Sequence, residues 1–158
     1  MQVRRSDSFS PLFAKAIDEL ADPNKQDPEQ PDTSYRIQHK PMSPERGGAK
    51  LHDLTPAFGE DIYGPNALQF FGSGDPRERH VLDLLWSLRG KPNAIITIYR
   101  RVPQEAQNQI NPGDWVTLDK NVANDFVSFE KGKVVSKKVP ASHVTSWADS
   151  LLEFGYFP

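Results

Sequence analysis

The chain of 158 residues contains no cysteine, which excludes a disulfide-stabilised scaffold and catalysis by a thiol. Its four histidines are scattered without the spacing of metal ligands, so we expect no metal site. No apolar run approaches the roughly 20 residues that span a bilayer, so we expect no membrane contact.

The chain also lacks a strong excess of either charge, since its formal net charge is -2. Bulk electrostatics therefore do not favour a nucleic-acid-binding protein. The first ten residues, MQVRRSDSFS, lack the apolar core of a signal peptide, and we expect a soluble cytoplasmic protein. A glycine-rich phosphate loop and a G-x-S-x-G elbow are both missing, so neither a dinucleotide fingerprint nor a serine hydrolase is supported.

Residues 1–34 differ in composition from the rest of the chain. Ser10 and Pro11 predict the start of a short amphipathic helix. The acidic, proline-rich stretch from Ala21 to Ser34 predicts a linker that is partly disordered. We therefore expect one folded domain over residues 35–158, preceded by this N-terminal segment.

The domain alternates helical and strand patterns, which predicts an α+β fold. Residues 41–74 are rich in proline and glycine and predict a long loop region with one helical turn at Asn66–Phe71. The predicted later elements are a helix at Asp75–Arg89, strands at Ile95–Val102 and Asp114–Leu118, a helix after Asp119, a strand at Val134–Val139, a turn or short helix at Ser142–Trp147, and an apolar terminal strand, Ser150–Pro158.

Arg100 ends an apolar row on the first of these strands. Because side chains alternate faces along a strand, Arg100 shares a face with Ile96 and Ile98. A half-buried guanidinium needs an anionic partner. Two interpretations stay open: an arginine paired with a structural carboxylate, or an arginine placed to bind a phosphate.

Three segments occur in a specific order: ITIYR, then PGDWVTLDKNVANDF, then LLEFGYFP. This set resembles the arginine–serine–glutamate group of ADP-ribosyltransferase folds, and is most similar to the ADP-ribosyltransferase-like domains of phage and prophage polyvalent proteins. The resemblance covers residues 35–158. It implies a split mixed β-sheet with flanking helices around a cleft, and an effector that modifies a macromolecule in a host cytoplasm.

The resemblance also implies roles for individual residues. Arg100 matches the arginine that holds the phosphates of NAD, which such enzymes use as a substrate. Thr117 matches the strand whose hydroxyl supports the catalytic acid or contacts the ribose, and Glu153 matches the catalytic glutamate. Tyr99 and Trp115 are expected to line the NAD site. The acceptor, a protein or a nucleic acid, is not indicated.

Two departures from the family pattern bear on function. Arginine-modifying members carry a second acid two residues before the catalytic glutamate, where this chain has Leu151. The neighbouring Arg101 adds a charge that is suited to a phosphate or a nucleic-acid target. The alternatives are therefore a different acceptor, NAD hydrolysis, or a catalytically inactive protein of this fold that binds and inhibits a partner. In the structural alternative Glu153 forms an ion pair with Arg100 or Lys137.

Overall fold

The structure is a computed structural model that describes residues 40–126 and 131–158. The predicted N-terminal helix and the predicted linker lie outside the described residues. The chain divides into two units, residues 1–40 and 41–158, and the second is described below. In the described part, no helix is both long and apolar enough to cross a membrane.

In residues 40–126 and 131–158, six strands form two antiparallel sheets. The strands are β1 (Ala49–Lys50), β2 (Ile95–Pro103), β3 (Trp115–Val116), β4 (Gly132–Pro140), β5 (Val144–Ser146) and β6 (Phe154–Tyr156). One sheet has the order β1-β5-β6-β3, and the other pairs β2 with β4. The predicted α+β class and the split into two sheets are confirmed. Every pairing among the described residues is antiparallel, so the expected mixed sheet is not found there.

The long antiparallel pair of β2 and β4 confirms the alternation predicted for β2. Its nine residue pairs run from Ile95–Pro140 to Pro103–Gly132. Ile96, Ile98 and Val102 are at most 6% exposed, which makes one face of β2 part of the hydrophobic core. Lysines occupy the outer strand β4, where unpaired backbone groups would otherwise invite pairing with another chain.

Helices cover the sheets. In the described ranges the α-helices are α1 (Thr55–Phe58), α2 (Ala67–Phe71), α3 (Arg77–Ser87) and α4 (Lys120–Asp125), and 3-10 turns lie at Pro44–Arg46, Glu60–Tyr63 and Ala141–His143. The helical turn predicted near Asn66 is confirmed as α2. The helix predicted after Asp119 is confirmed as α4, and the Asp119 carboxylate caps it by accepting a hydrogen bond from the Asn121 N–H at 2.8 Å.

The start of α3 differs from its prediction. Asp75 accepts from the Arg77 N–H, as a capping residue does. The helix itself begins at Arg77, two residues later than predicted. The carboxylate of Glu78 accepts hydrogen bonds from the backbone N–H groups of Ser73 and Gly74. Because Glu78 is only 2% exposed, this buried acid fixes the loop that precedes the helix.

Three other predictions were wrong in part. Residues 41–74 contain four short helical segments and strand β1 instead of a long loop region with one helical turn. The segment predicted as a turn or short helix at Ser142–Trp147 includes strand β5. The terminal strand is confined to β6, since residues 149–152 form bends in which Ser150 Oγ accepts a hydrogen bond from the Leu152 N–H. Glu153 therefore lies directly before the strand.

Candidate functional site

The register of three neighbouring strands brings Tyr99, Thr117 and Glu153 into one row. In the described part of the chain, Tyr99 and Thr117 form the one bridge that joins the two sheets, and each N–H donates to the other's carbonyl at 2.9 Å. On the other side of Thr117, β3 pairs with β6 through Trp115–Gly155 and Val116–Phe154. Thr117 and Glu153 each lie one residue beyond the last of these pairs, so they are neighbours at the end of this ladder. Opposed residues of antiparallel strands point to the same face, so the side chains of Tyr99 and Thr117 share a face.

Thr117 is held rigidly in the middle of this row. Its side chain is buried, at 5% exposure. Its Oγ1 accepts a hydrogen bond from the Asp119 N–H at 3.3 Å, which ties the strand to the cap of α4. Because the hydroxyl oxygen accepts this bond, its proton is available for donation to another acceptor.

Arg100 lies where β2 and β3 separate. Its Nη1 donates to the carbonyl oxygen of Trp115 at 2.8 Å, and its Nε lies 3.5 Å from a carboxylate oxygen of Asp114. Since the Thr117 backbone pairs with Tyr99, the Trp115 carbonyl two residues earlier also points toward β2. The guanidinium therefore occupies the gap between the sheets and binds a carbonyl that a continued β2–β3 ladder would use.

One guanidinium nitrogen of Arg100, Nη2, is not engaged by the part of the chain that the structure describes. The two contacts use Nε and Nη1, and Nη2 has no hydrogen-bond partner among those residues. The side chain is 32% exposed. The ion pair with Asp114 is the kind of contact that the structural alternative for Arg100 expects, and the free Nη2 leaves room for an anion as well.

Two tryptophans lie beside the row. The rings of Trp115 and Trp147 pack with their centroids 4.9 Å apart. Both side chains are half-buried, and the Trp147 side chain hydrogen-bonds the carboxylate of Asp149. Trp115 was predicted to line the site, whereas Trp147 was missed. Its position depends on the bends before β6, where Ala148 adopts a left-handed conformation with φ 77°, and the sequence gives no signal for that turn.

Glu153 is a half-buried acid. Burial, and in second place the negative charge of Asp149, raise the pKa of Glu153 to about 9. Desolvation also raises the pKa of Asp149, to about 6, although that side chain remains exposed to solvent. Among the described residues Glu153 has no ion-pair partner, so the predicted structural salt bridges to Arg100 or Lys137 are not found there.

The predicted site residues thus fall into two groups according to their positions on the strands. Tyr99 and Thr117 share one face with Glu153 next to them at the end of the β3–β6 ladder, and Arg100 starts from the opposite face and reaches the gap beside Trp115. Arg101 contacts a different part of the fold, because its Nη1 donates a hydrogen bond to the Asn124 carbonyl of α4 at 3.3 Å. Arg101 is therefore directed toward α4 and away from the gap between the sheets.

The geometry defines an α+β domain with two antiparallel sheets, an arginine at their split and a neutral acid nearby. No protein-family model, no curated protein and no solved structure matches this chain. The functional argument therefore depends on the residues themselves.

The raised pKa of Glu153 has a consequence for stability. The folded protein keeps Glu153 protonated up to about pH 9, whereas the unfolded chain ionises it near 4.5. The unfolded chain therefore loses this proton first, and the stability contributed by Glu153 falls as the pH rises from 4.5 toward 9. We expect Glu153→Gln, which is always neutral, to increase the free energy of unfolding by about 1–3 kcal/mol at pH 8 and to leave it unchanged near pH 4.

Thermal melting of both proteins between pH 4 and pH 9 measures this difference. Glu105→Gln is the matched control, because Glu105 is exposed, and its replacement should shift the midpoint little at any pH. Equal melting temperatures for the wild type and Glu153→Gln at pH 8 would contradict a protonated Glu153.

Proposed function

We propose that this protein is an NAD-dependent ADP-ribosyltransferase that modifies a macromolecule. The observation that carries the proposal is the placement of Arg100 and Glu153 around Thr117: a cation at the split between the sheets with its Nη2 free, and a half-buried acid without an ion-pair partner, in both cases among the described residues. This order of residues on adjacent strands is what the resemblance to the arginine–serine–glutamate group implies.

The proposed reaction breaks the bond between the ribose C1′ and the nicotinamide nitrogen of NAD. The electron pair leaves with nicotinamide, which becomes neutral, and positive charge develops on the ribose. A carboxylate close to the ribose stabilises this charge in the transition state. The free Nη2 of Arg100 binds the pyrophosphate and holds the cofactor while the bond lengthens. The acceptor's nucleophile then bonds to C1′ and gives its proton to Glu153.

Glu153 must be ionised to act in this way, although its pKa of about 9 keeps it protonated in the free protein at neutral pH. The nicotinamide ring of NAD carries a positive charge. A cation near a carboxyl group favours its ionised form, so bound NAD lowers the pKa of Glu153. In this proposal NAD binding releases the proton of Glu153 and creates the catalytic base only when the substrate is present.

A second candidate is an inactive protein of the same fold that inhibits a partner. The engagement of Arg100 by Asp114 and the Trp115 carbonyl favours it, because a purely structural arginine would make the same contacts. A partner-binding protein of this kind does not need an NAD site. Binding of NAD by the purified protein therefore separates the two candidates.

The test is nicotinamide release from NAD by the full-length protein, measured by chromatography with and without a cell lysate, together with melting in the presence of NAD. We expect release that increases with lysate, and transfer of label from adenine-labelled NAD to a macromolecule. At an NAD concentration of 100 times Kd, the protein should gain about 2.7 kcal/mol of stability.

The outcomes discriminate between the candidates. Release without lysate indicates that water is the acceptor, which makes the protein an NAD glycohydrolase and contradicts transfer to a macromolecule. Absence of both release and thermal stabilisation by NAD overturns the proposed enzyme and favours the inhibitory binding protein.

A further inference from the structure

Asp114 connects the turn before β3 to Arg100. Its carboxylate oxygen Oδ2 accepts a hydrogen bond from the Asn111 N–H at 2.8 Å and lies 3.5 Å from Arg100 Nε. Its carbonyl accepts from the Tyr156 N–H at 3.0 Å, so the residue is also attached to β6. The Asp114 side chain is 24% exposed, which limits the screening of its charge by solvent.

These contacts fix the direction of the guanidinium. The Trp115 carbonyl holds Nη1, and the Asp114 carboxylate faces Nε, so two of the three guanidinium nitrogens are constrained. The third nitrogen, Nη2, is then presented in one orientation. An unconstrained arginine would lose its rotamer freedom on binding an anion, and that loss weakens binding.

We propose that Asp114 is a positioning residue that orients Arg100 for an anionic group such as the pyrophosphate of NAD. The inference rests on the proposed function. Asp114 also repels a phosphate bound at Nη2, and this repulsion opposes the gain from the ordering of Arg100. The proposal requires the ordering to outweigh the repulsion.

The test is Asp114→Asn in the full-length protein. Asparagine keeps an oxygen that accepts from the Asn111 N–H and removes the negative charge beside Arg100. We expect KM for NAD to increase about fivefold, equivalent to about 1 kcal/mol of binding, with kcat changed less than twofold. Asp125→Asn is the matched control, because it removes the carboxylate of another arginine pair, at Arg77, and should leave KM unchanged.

A double-mutant cycle separates positioning from general stability. If Asp114 acts through Arg100, Asp114→Asn has no further effect on KM in an Arg100→Lys background, whereas a merely structural effect would be the same in both backgrounds. An unchanged KM in the single variant, or an equal increase in both backgrounds, overturns the proposal.

A direct NMR measurement on Arg100 tests the positioning role of Asp114 independently of the proposed enzymatic function. In a ¹⁵N-resolved NMR spectrum of the wild type, we expect a sharp Arg100 Nε–H signal that exchanges slowly with water, and in Asp114→Asn a broadened signal. A wild type that binds no NAD overturns the proposed function, while the Nε–H signal still decides whether Asp114 orders Arg100. An Arg100 signal that is identical in both proteins overturns the positioning role.

Discussion

Replacement of Glu153 by glutamine is expected to lower nicotinamide release from NAD by about 10²–10³-fold. Glutamine has nearly the same shape, but it cannot carry the negative charge that stabilises the developing positive charge on the ribose, and it cannot accept the proton of the acceptor. NAD binding should persist, because Arg100 and its partners are unchanged. The measurement compares initial rates of release with NAD-dependent melting shifts for the wild type and the variant.

The same substitution is expected to stabilise the protein at pH 8, and this combination is diagnostic. Replacement of a structural residue lowers the stability of the protein, whereas replacement of a buried functional acid often increases it. Glu105→Gln, on an exposed residue, should change neither the rate nor the melting temperature. A Glu153→Gln protein that keeps its release rate, or that is inactive and less stable than the wild type, would contradict the catalytic assignment.

Strand β2 illustrates what the sequence predicts well. Its alternation of apolar and polar residues follows directly from the period of two in a strand, and the buried row of Ile96, Ile98 and Val102 is confirmed. The position of Arg100 at the end of this row follows from the same rule. Its partner Asp114 comes from a turn 14 residues later, and alternation on β2 contains no information about that contact.

The surroundings of Glu153 show where such patterns fail. An apolar stretch with one acid predicts a strand, but the bends at residues 149–152 depend on local hydrogen bonds such as that between the Leu152 N–H and Ser150 Oγ. These bends bring Asp149 close enough to Glu153 to contribute to its raised pKa. In a continuous strand, residues four apart lie about 13 Å from each other, too far for that effect.

The prediction of a long loop region at residues 41–74 is wrong for a different reason. Helices of four or five residues are too short to show a hydrophobic period, and isolated helices of that length are unstable. Here non-local contacts support them: Trp86 Nε1 donates to the Ile62 carbonyl at 2.7 Å, and the Leu54 N–H donates to the Tyr63 hydroxyl at 3.0 Å. Tertiary structure, instead of local propensity, therefore determines this region.

The candidate site depends both on the alternation of side chains along a strand and on the pairing between strands. Alternation places Thr117 and Trp115 on one face of β3. Strand pairing then determines the neighbours of Thr117. Its bridge to Tyr99 sets one neighbour, and the register of β3 with β6 brings Glu153 next to it on the other side. The gap that Arg100 occupies exists because only one bridge joins the sheets among the described residues. The split of the sheet is thus both a feature of the fold and the reason that a cation and an acid lie beside the same threonine.

Replacement of Gly155 by alanine is expected to destabilise the protein by about 3 kcal/mol. A Cβ on Gly155 would clash with Pro41 Cβ and would lie 2.7 Å from the ring of Phe157. Gly155 pairs with Trp115 on one side and with Thr145 on the other, so β6 cannot move away without breaking the sheet. Denaturant unfolding measures the loss, and nicotinamide release should fall too, because Glu153 lies directly before this strand.

The control is Gly64→Ala, where a Cβ would meet only the Asp61 carbonyl at an ordinary 3.5 Å, and where we expect little change in stability. Pro41→Gly removes the atom nearest to the new Cβ. Added to Gly155→Ala, it should recover part of the lost free energy, giving a coupling of about 1–3 kcal/mol between the two sites. If the two substitutions are simply additive, Pro41 does not cover Gly155. The close packing over β6 would then not be what holds the strand next to Glu153 in place.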